Sequence, residues 1–309
     1  MLTKLRFAAS VLALSLAGPA LAQTAAPKPT ATAPAAAKLP DTDPALWVVR
    51  DADTTIYLFG TFHALDGKTD WFNDEVRAAF DRSSKVYFEI VQPENPAAMA
   101  PLVQKYWLAT DGKPLTSKLS EKGRKDLAAA LAYLGAPSTA VDPMKPFAAS
   151  MMLAALGAQK VGKTGEQGAE AVITAAAKKA NKPVDQIETL EFQFALFDKL
   201  PEAEQVRMLE YTAATIKEME PMFARMTKAW NSGDAEGLAN MMNEMQSQSP
   251  AMYELLLAGR NRTWAEWIEN RMKSPGTIFL AVGAGHLAGK DSVQDLLAKD
   301  GIKSTRVAY

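Results

Sequence analysis

The sequence predicts an α/β fold in which two strand, Gly-x-x-His, helix, strand units, one from each end of the chain, form one mixed sheet with a large helical insertion over the site. Two observations lead to this prediction. The apolar runs Ile56–Phe59 and Ile278–Val282 are short, rich in β-branched and aromatic residues and followed by Gly-x-x-His, as in a buried strand that ends in a turn. The histidines of these turns, His63 and His286, are the only two in the chain.

The first 22 residues have the pattern of a secretory signal peptide. Lys4 and Arg6 form a positive segment, residues 7–16 form an apolar segment, and Ala20-Leu21-Ala22 is a cleavage site of the Ala-x-Ala type. We therefore expect a protein that is secreted across the inner membrane and is periplasmic. An inner-membrane anchor through an uncleaved signal is the alternative.

Residues 23–40 consist mainly of Ala, Pro, Thr and Lys, and we expect a disordered linker because this composition buries too little apolar surface. The folded domain is predicted over residues 41–309, with the helical insertion at about 95–272. No stretch of about 18 apolar residues follows the signal, so no transmembrane segment is expected in the mature chain. The sequence leaves the oligomeric state open.

Composition excludes two classes of function. The chain has 34 basic and 35 acidic residues; without Lys4 and Arg6 the counts are 32 and 35, a net charge of −3, and no basic block is present. Nucleic acid is therefore not an expected partner. There is no cysteine, which excludes thiol catalysis and leaves histidines and carboxylates as ligands for any metal.

The first unit begins with a predicted β-hairpin. Leu46–Arg50 and Thr54–Phe59 have the composition of strands and are joined by a short polar turn. Apolar residues recur at helical spacing over Asp70–Asp81, and Lys85–Val91 is a further strand. Glu89 lies near the far end of that strand.

The last unit repeats this pattern with a strand over Thr277–Val282, a helix over Asp291–Ala298 and a strand over Lys303–Ala308. A connection of this length implies parallel pairing and a right-handed crossover. Two such units side by side bring both histidines to one edge of the sheet, beyond the carboxyl ends of the strands, where open α/β sheets bind ligands.

The insertion between the units is predicted to be helical, because its apolar residues have helical spacing that Pro and Gly interrupt. The predicted helices are Pro96–Leu108, Glu121–Leu134, Pro146–Leu156, Glu166–Ala180, Glu188–Leu200, Glu202–Asn231 and Pro250–Met272.

Five motifs occur in a fixed order along the chain. They are Leu58-Phe59-Gly60-Thr61-Phe62-His63, Tyr87-Phe88-Glu89-Ile90, Lys182-Pro183-Val184-x-x-Ile187-Glu188-Thr189, Arg260-Asn261-Arg262-x-Trp264 and Val282-Gly283-Ala284-Gly285-His286-Leu287-Ala288-Gly289. As an ordered set they resemble the TraB/GumN family over nearly all of residues 45–309. The resemblance implies a fold group with three kinds of member. The TIKI proteins are divalent-metal-dependent peptidases, and the group also includes erythromycin esterases and a ChaN-like, iron- or haem-associated lipoprotein.

His63, His286 and Glu89 each lie at a predicted strand end and offer nitrogen and oxygen donors. A catalytic metal needs about three protein ligands on rigid elements and an open position for water. The resemblance implies the same three residues, so we predict that they bind a divalent metal, which could be Mn, Co or Zn. Glu89 and Glu188 are the predicted catalytic carboxylates, with Glu188 as the acceptor of the proton from water.

Arg260, Asn261 and Arg262 begin the predicted helix segment before the last unit, and we predict all three as catalytic. A planar guanidinium suits a peptide carboxylate or a developing oxyanion, and an amide can donate to the same oxygen.

Each predicted site residue also has a structural alternative. The histidines could be buried and bonded to backbone, Glu89 could pair with an arginine, and Glu188 could stabilise a helix N-terminus through the dipole. The arginines could be solvated charges on a helix.

Two classes of function remain. The first is a divalent-metal-dependent hydrolase, peptidase-like by resemblance, acting on a peptide or small-molecule substrate at the paired Gly-x-x-His site. The second is a non-catalytic periplasmic protein that binds metal, haem or peptide in the same cleft. A serine hydrolase is disfavoured because no Gly-x-Ser-x-Gly elbow exists, and the phosphate-binding loop is absent as well.

Overall fold

The computed structural model describes residues 38–309, and of residues 242–248 it describes the backbone only. The predicted signal peptide and most of the predicted linker therefore lie outside the described residues.

Six strands form one mixed sheet in the order β4-β3-β5-β2-β1-β6. The strands are β1 (Leu46–Arg50), β2 (Thr54–Thr61), β3 (Lys85–Phe88), β4 (Val184–Gln186), β5 (Gly276–Gly283) and β6 (Ser304–Arg306). β1 is antiparallel to its neighbours β2 and β6, and the other pairs are parallel. The α/β class and the mixed sheet are confirmed.

The two units interleave in this sheet, and the prediction that they lie side by side is wrong. β5 lies between β2 and β3, while β6 crosses to the far edge and pairs with β1 instead of β5. Burial explains the difference. β5 is buried along Ile278–Val282 and suits the centre of a sheet, whereas Ser304–Arg306 is polar and suits an edge.

Interleaving still brings both Gly-x-x-His turns to one edge of the sheet. In the parallel ladder, Gly60 is opposite Val282 and Thr61 is opposite Gly283. Both strands therefore end at the same level, and both histidines follow directly. This part of the prediction is confirmed.

Helices pack on both faces of the sheet. Their bounds are α1 (Asp74–Arg82), α2 (Ala100–Leu102), α3 (Glu121–Leu134), α4 (Pro146–Lys160), α5 (Ala169–Lys179), α6 (Leu190–Asp198), α7 (Glu202–Thr215), α8 (Met219–Asn231), α9 (Ala235–Gln248), α10 (Pro250–Tyr253), α11 (Gly259–Met272) and α12 (Val293–Lys299). Across the described range, no helix is long and apolar enough to cross a membrane.

The region between the units is mainly helical, as predicted, although its helix α9 was not among the predicted helices. β4, which the sequence analysis did not predict, interrupts this region and extends the sheet beside β3. Among the helices, α6 begins two residues later than predicted, because the hydroxyl of Thr189 accepts the N–H of Phe192 and caps the helix. Glu188 consequently lies in the loop between β4 and α6.

Alternation along the central strands divides the core between two faces of the sheet. Phe59 and Phe279 face α1 and α8, where Phe59 contacts Trp230. Leu58 and Leu280 belong to the cluster that α11 and α12 cover. Successive strand residues point to opposite faces, and helices cover both faces. The central strands are therefore apolar at successive positions and not only at alternate ones.

Candidate functional site

The two Gly-x-x-His loops touch each other at the edge of the sheet. His63 lies in the loop after β2, and His286 lies in a short 3₁₀ turn, Ala284–Leu287, after β5. A Cβ atom on Gly60 would lie 3.1 Å from the Cα atom of Ala284, so glycine at position 60 permits the two loops to come this close. Within the core, the indole N–H of Trp230 donates to the carbonyl of Gly60 at 2.7 Å.

The three predicted metal ligands converge around Gly283. A Cβ atom built on this residue would lie 3.1 Å from Oε1 of Glu89, 3.6 Å from Cδ2 of His286 and 3.8 Å from Nε2 of His63. The N–H of Gly283 donates to Oε1 of Glu89 at 2.6 Å. The pairing of β3 with β5 places Glu89 here, one residue after β3 ends.

Arg260 lies at the centre of the site and is 3% exposed. Its Nη2 atom donates to Oε2 of Glu89 at 2.6 Å and to Oε2 of Glu188 at 2.7 Å. Its Nη1 atom donates to the carbonyl of Leu256 at 3.2 Å and lies 3.1 Å from Nε2 of His286. One guanidinium therefore pairs with two buried carboxylates, and its contact with Glu89 is the arginine pairing considered above for that residue.

Glu188 has no free oxygen in this arrangement. Nε of Arg260 donates to its Oε1 at 3.0 Å, and the indole N–H of Trp264 donates to the same atom at 2.7 Å. Gln193, which the sequence analysis missed, donates from Nε2 to Oε2 of Glu188 at 2.9 Å and to Oε2 of Glu89 at 3.2 Å. Glu188 is thus held by side chains from α6 and α11.

His286 is buried, and its hydrogen bonds fix its tautomer. Nδ2 of Asn261 donates to the carbonyl of Asp291 at 2.7 Å, so Oδ1 of Asn261 accepts from Nδ1 of His286 at 2.5 Å. Nε2 then accepts from Arg260. Burial and the charge of Arg260 lower the pKa of His286 to about 3, although Glu89 opposes them, so the ring is neutral at neutral pH.

His63 has the opposite charge state. Its Nδ1 atom lies 2.5 Å from Oε1 of Glu170, and its side chain is 22% exposed. Burial lowers the pKa of His63, but Glu170 and then Glu89 raise it, and the result is about 9 even though Arg260 opposes the shift. The ring is a cation at neutral pH. Sequence reasoning missed Glu170, for which the only local signal is the Gly-x-Glu start of α5.

The two acidic partners of the histidines are ionised at neutral pH. Burial raises the pKa of Glu89, but Arg260, both histidines and the N–H of Gly283 together hold it far below its usual value. Burial also raises the pKa of Glu170, and the charge and hydrogen bond of His63 outweigh it, so that this pKa is lowered too.

Arg262 is not brought to this cluster. Its guanidinium pairs with Glu254 at the exposed surface. Residues two apart on a helix point to opposite sides, so Arg260 and Arg262 of α11 cannot face the same site. Of the Arg-Asn-Arg run, the structure brings only Arg260 and Asn261 to the histidines.

The donor set has the right atom types for a divalent metal but not the right arrangement. Arg260 occupies Nε2 of His286 and one oxygen of Glu89, and Gly283 occupies the other oxygen. Within the part of the chain that the structure describes, no three His, Asp or Glu side chains are grouped so that they could hold an ion. The residues as arranged do not fit a resident metal.

The fold and the site define an α/β domain with paired Gly-x-x-His loops around a buried Arg–carboxylate cluster. A family model of the TraB/PrgY/gumN family matches residues 45–306, and the chain belongs to that family. It is 26% identical over 183 residues to the uncharacterized protein YbaP of Escherichia coli (strain K12), covering 59% of this chain and 67% of that protein. YbaP of Shigella flexneri matches with the same figures. No solved structure matches.

Proposed function

We propose that this chain is an exported hydrolase that cleaves peptide or related amide bonds, with His63 as the acid–base group of the paired Gly-x-x-His site. The observation that supports this most is the convergence of His63, Glu89 and His286 on Gly283. Export is proposed from the signal-like pattern of residues 1–22.

The two histidines have the properties of an acid and its fixed support. Environments that push two pKa values apart are a sign of divided acid–base roles, and here the values are about 9 and about 3. His286 has both ring nitrogens engaged with Asn261 and Arg260, whereas His63 pairs with Glu170 through Nδ1 and has a side chain that is 22% exposed. A substrate can therefore meet His63 first.

The proposed chemistry needs only one proton cycle at His63. The Nε2–H group donates a hydrogen bond to the carbonyl oxygen, where negative charge develops as water attacks the carbon. The same group then gives its proton to the leaving nitrogen, and the proton released by the attacking water restores the cation. The charges of Arg260, Glu89 and Glu188 set the electrostatic potential around this ring.

Binding of Mn, Co or Zn stays a prediction from the resemblance. For His286 and Glu89 to become ligands, Arg260 would have to withdraw from Nε2 of His286 and from Oε2 of Glu89. The measurement is metal content of the domain 41–309 beside a His63→Ala, His286→Ala double variant. One bound equivalent that the folded variant loses would establish a metal site.

A second candidate is a non-catalytic periplasmic protein that binds metal, haem or peptide. The closed network of Arg260, Glu89 and Glu188 favours it, because a buried and fully paired cluster is also typical of a structural role. In that case the loops would shape a binding cleft without turnover.

Cleavage assays on the domain 41–309 separate the two candidates. A peptide library is incubated with wild type, His63→Gln and Arg262→Ala, each with added Mn, Co or Zn and with a chelator. We expect His63→Gln to lose cleavage by about 10²–10⁴-fold, as for a general acid, and Arg262→Ala to retain it. Bound peptide without cleavage in wild type would favour the second candidate, and equal cleavage by His63→Gln would contradict the proposed role.

A further inference from the structure

Glu170 contacts His63 from a helix in which no sequence motif indicated a site residue. The two side chains meet at 2.5 Å between Oε1 and Nδ1, and they are 26% and 22% exposed. Glu170 lies in the first turn of α5, in the helical insertion, whereas His63 follows β2 of the sheet. This contact joins the insertion to the first Gly-x-x-His loop.

The backbone is built to allow this contact. The N–H of Ala169 donates to the carbonyl of Phe62 at 3.0 Å, which fixes the start of α5 against the loop. A Cβ atom on Gly168 would lie 2.1 Å from the carbonyl oxygen of His63, a distance that no side chain tolerates. Glycine at this position therefore lets Glu170, two residues on, reach the ring.

Each of the two histidines is held at Nδ1 by a side chain from a helix outside its own unit. Asn261 of α11 holds His286, and Glu170 of α5 holds His63. In both rings this leaves Nε2 for the cluster. The difference is chemical: His286 has a neutral amide as its partner and His63 has a carboxylate.

We propose that Glu170 is a positioning residue that holds the His63 ring at Nδ1, so that Nε2 faces Gly283 and Glu89. Glu170 acts through His63 and does not touch the substrate. A ring bound at one nitrogen keeps one tautomer and one rotation about χ2, where an unbound ring samples both. The catalytic consequence of this positioning rests on the proposed function, while the positioning itself does not.

The first test reads the ring directly. The domain 41–309 with ¹⁵N-labelled histidine is compared with Glu170→Gln, Glu170→Ala and Glu166→Gln, the last as the control in the exposed turn before α5. Spectra at about pH 10, where the ring is largely neutral, report which nitrogen carries the proton. Only two histidines contribute signals, and His286→Gln assigns them.

We expect the Nδ1–H tautomer of His63 in wild type, in the control and in Glu170→Gln, whose amide oxygen still accepts. Glu170→Ala should lose it and show an exchanging ring, with the signals of His286 unchanged. A folded Glu170→Ala variant that keeps the wild-type tautomer would overturn the proposal. Should Glu170→Ala fail to fold, a Glu170→Leu variant gives the same comparison, and loss of the tautomer in Glu170→Gln would also contradict the proposal.

The second test is kinetic and separates this proposal from the hydrolase proposal. With a substrate from the library, Glu170→Ala should lower kcat by about 100-fold with little change in KM, since a misplaced group costs about this much. Glu170→Gln should recover part of the rate. An absence of turnover in wild type would count against hydrolysis and leave the tautomer result standing, whereas an unchanged kcat in Glu170→Ala would overturn the catalytic consequence of the positioning.

Discussion

The two Gly-x-x-His loops have one motif and opposite chemistry. In the first loop, His63 is partly exposed, pairs with Glu170 and has a pKa raised to about 9. In the second, His286 is buried, pairs with Asn261 and Arg260 and has a pKa lowered to about 3. The motif sets where each ring lies, and the partners from the surrounding helices set its charge.

This difference indicates that the apparent duplication does not create two equivalent ligands. Arg260 fills the space on the side of His286, so the second loop belongs to a closed ionic cluster. The side of His63 stays reachable from solvent. The asymmetry can be tested by changes that remove or exchange the partners of each ring.

Removing Arg260 should have the largest effect. Arg260→Ala leaves Glu89 and Glu188 as uncompensated buried charges, which typically costs about 3–5 kcal/mol of unfolding free energy. Arg262→Ala, on the exposed side of the same helix, is the matched control with an expected cost below about 1 kcal/mol. Urea unfolding of both variants at neutral pH measures the difference, and similar losses would show that the cluster does not depend on Arg260.

Glu170→Gln should have the next largest effect, and the effect should depend on pH. Because the pKa of His63 is about 9 when folded and 6.5 without partners, the protonated ring stabilises the fold fully below about pH 6.5. This contribution is lost as the pH rises through 9. Glu89 and Arg260, which also face the ring, are unchanged in the variant.

We therefore expect the free energy of unfolding of wild type to exceed that of Glu170→Gln by about 2 kcal/mol below pH 6.5. This value is discounted for the partial exposure of the pair. The gap should close by about pH 10. Urea unfolding across this range checks it. A gap that stays constant with pH would show that the charge of His63 does not depend on Glu170.

Exchanging the amide of the second loop for a carboxylate should make His286 more like His63. Asn261→Asp places a negative charge at Nδ1, so the pKa of His286 should rise from about 3 against the opposing charge of Arg260. The lost N–H donor leaves the carbonyl of Asp291 unpaired, at about 1–2 kcal/mol. Proton NMR of the histidine ring measures the shift, and an unmoved pKa would mean that burial and Arg260 alone determine it.

Trp230→Phe should have the smallest effect on the two histidine rings, because it changes the anchor of the first loop and none of the partners of the rings. The variant loses the indole N–H that donates to the carbonyl of Gly60 and leaves a cavity where the indole was fully buried, and together these cost about 1–3 kcal/mol. Thermal unfolding should show a lower Tm with the ring tautomers intact. A Tm equal to that of wild type would indicate that another donor replaces the indole.

Sequence reasoning predicted the parts of this site that lie next to a strong local pattern. The hairpin, the two central strands and their histidines follow from apolar runs that end in Gly-x-x-His. Glu89 follows from the strand before it. The resemblance to TraB/GumN proteins indicated Arg260 and Asn261, and the structure brings both to His286.

The rest depends on contacts between distant parts of the chain. Glu170 and Gln193 lie on helices whose pattern shows which face is buried but not which loop that face meets. β4 has three residues, of which only Val184 is apolar, so no strand signal exists. Arg262 was expected at the site because its motif was considered as a block, although helix geometry separates it from Arg260.

The most direct test of the account is a pH titration of the two histidine rings in the wild-type domain 41–309, followed by NMR between about pH 4 and pH 10. We expect His63 to titrate near pH 9 and His286 to stay neutral throughout, with His63→Gln and His286→Gln assigning the signals. Two rings that both titrate near 6.5, the value for an unperturbed histidine, would contradict it.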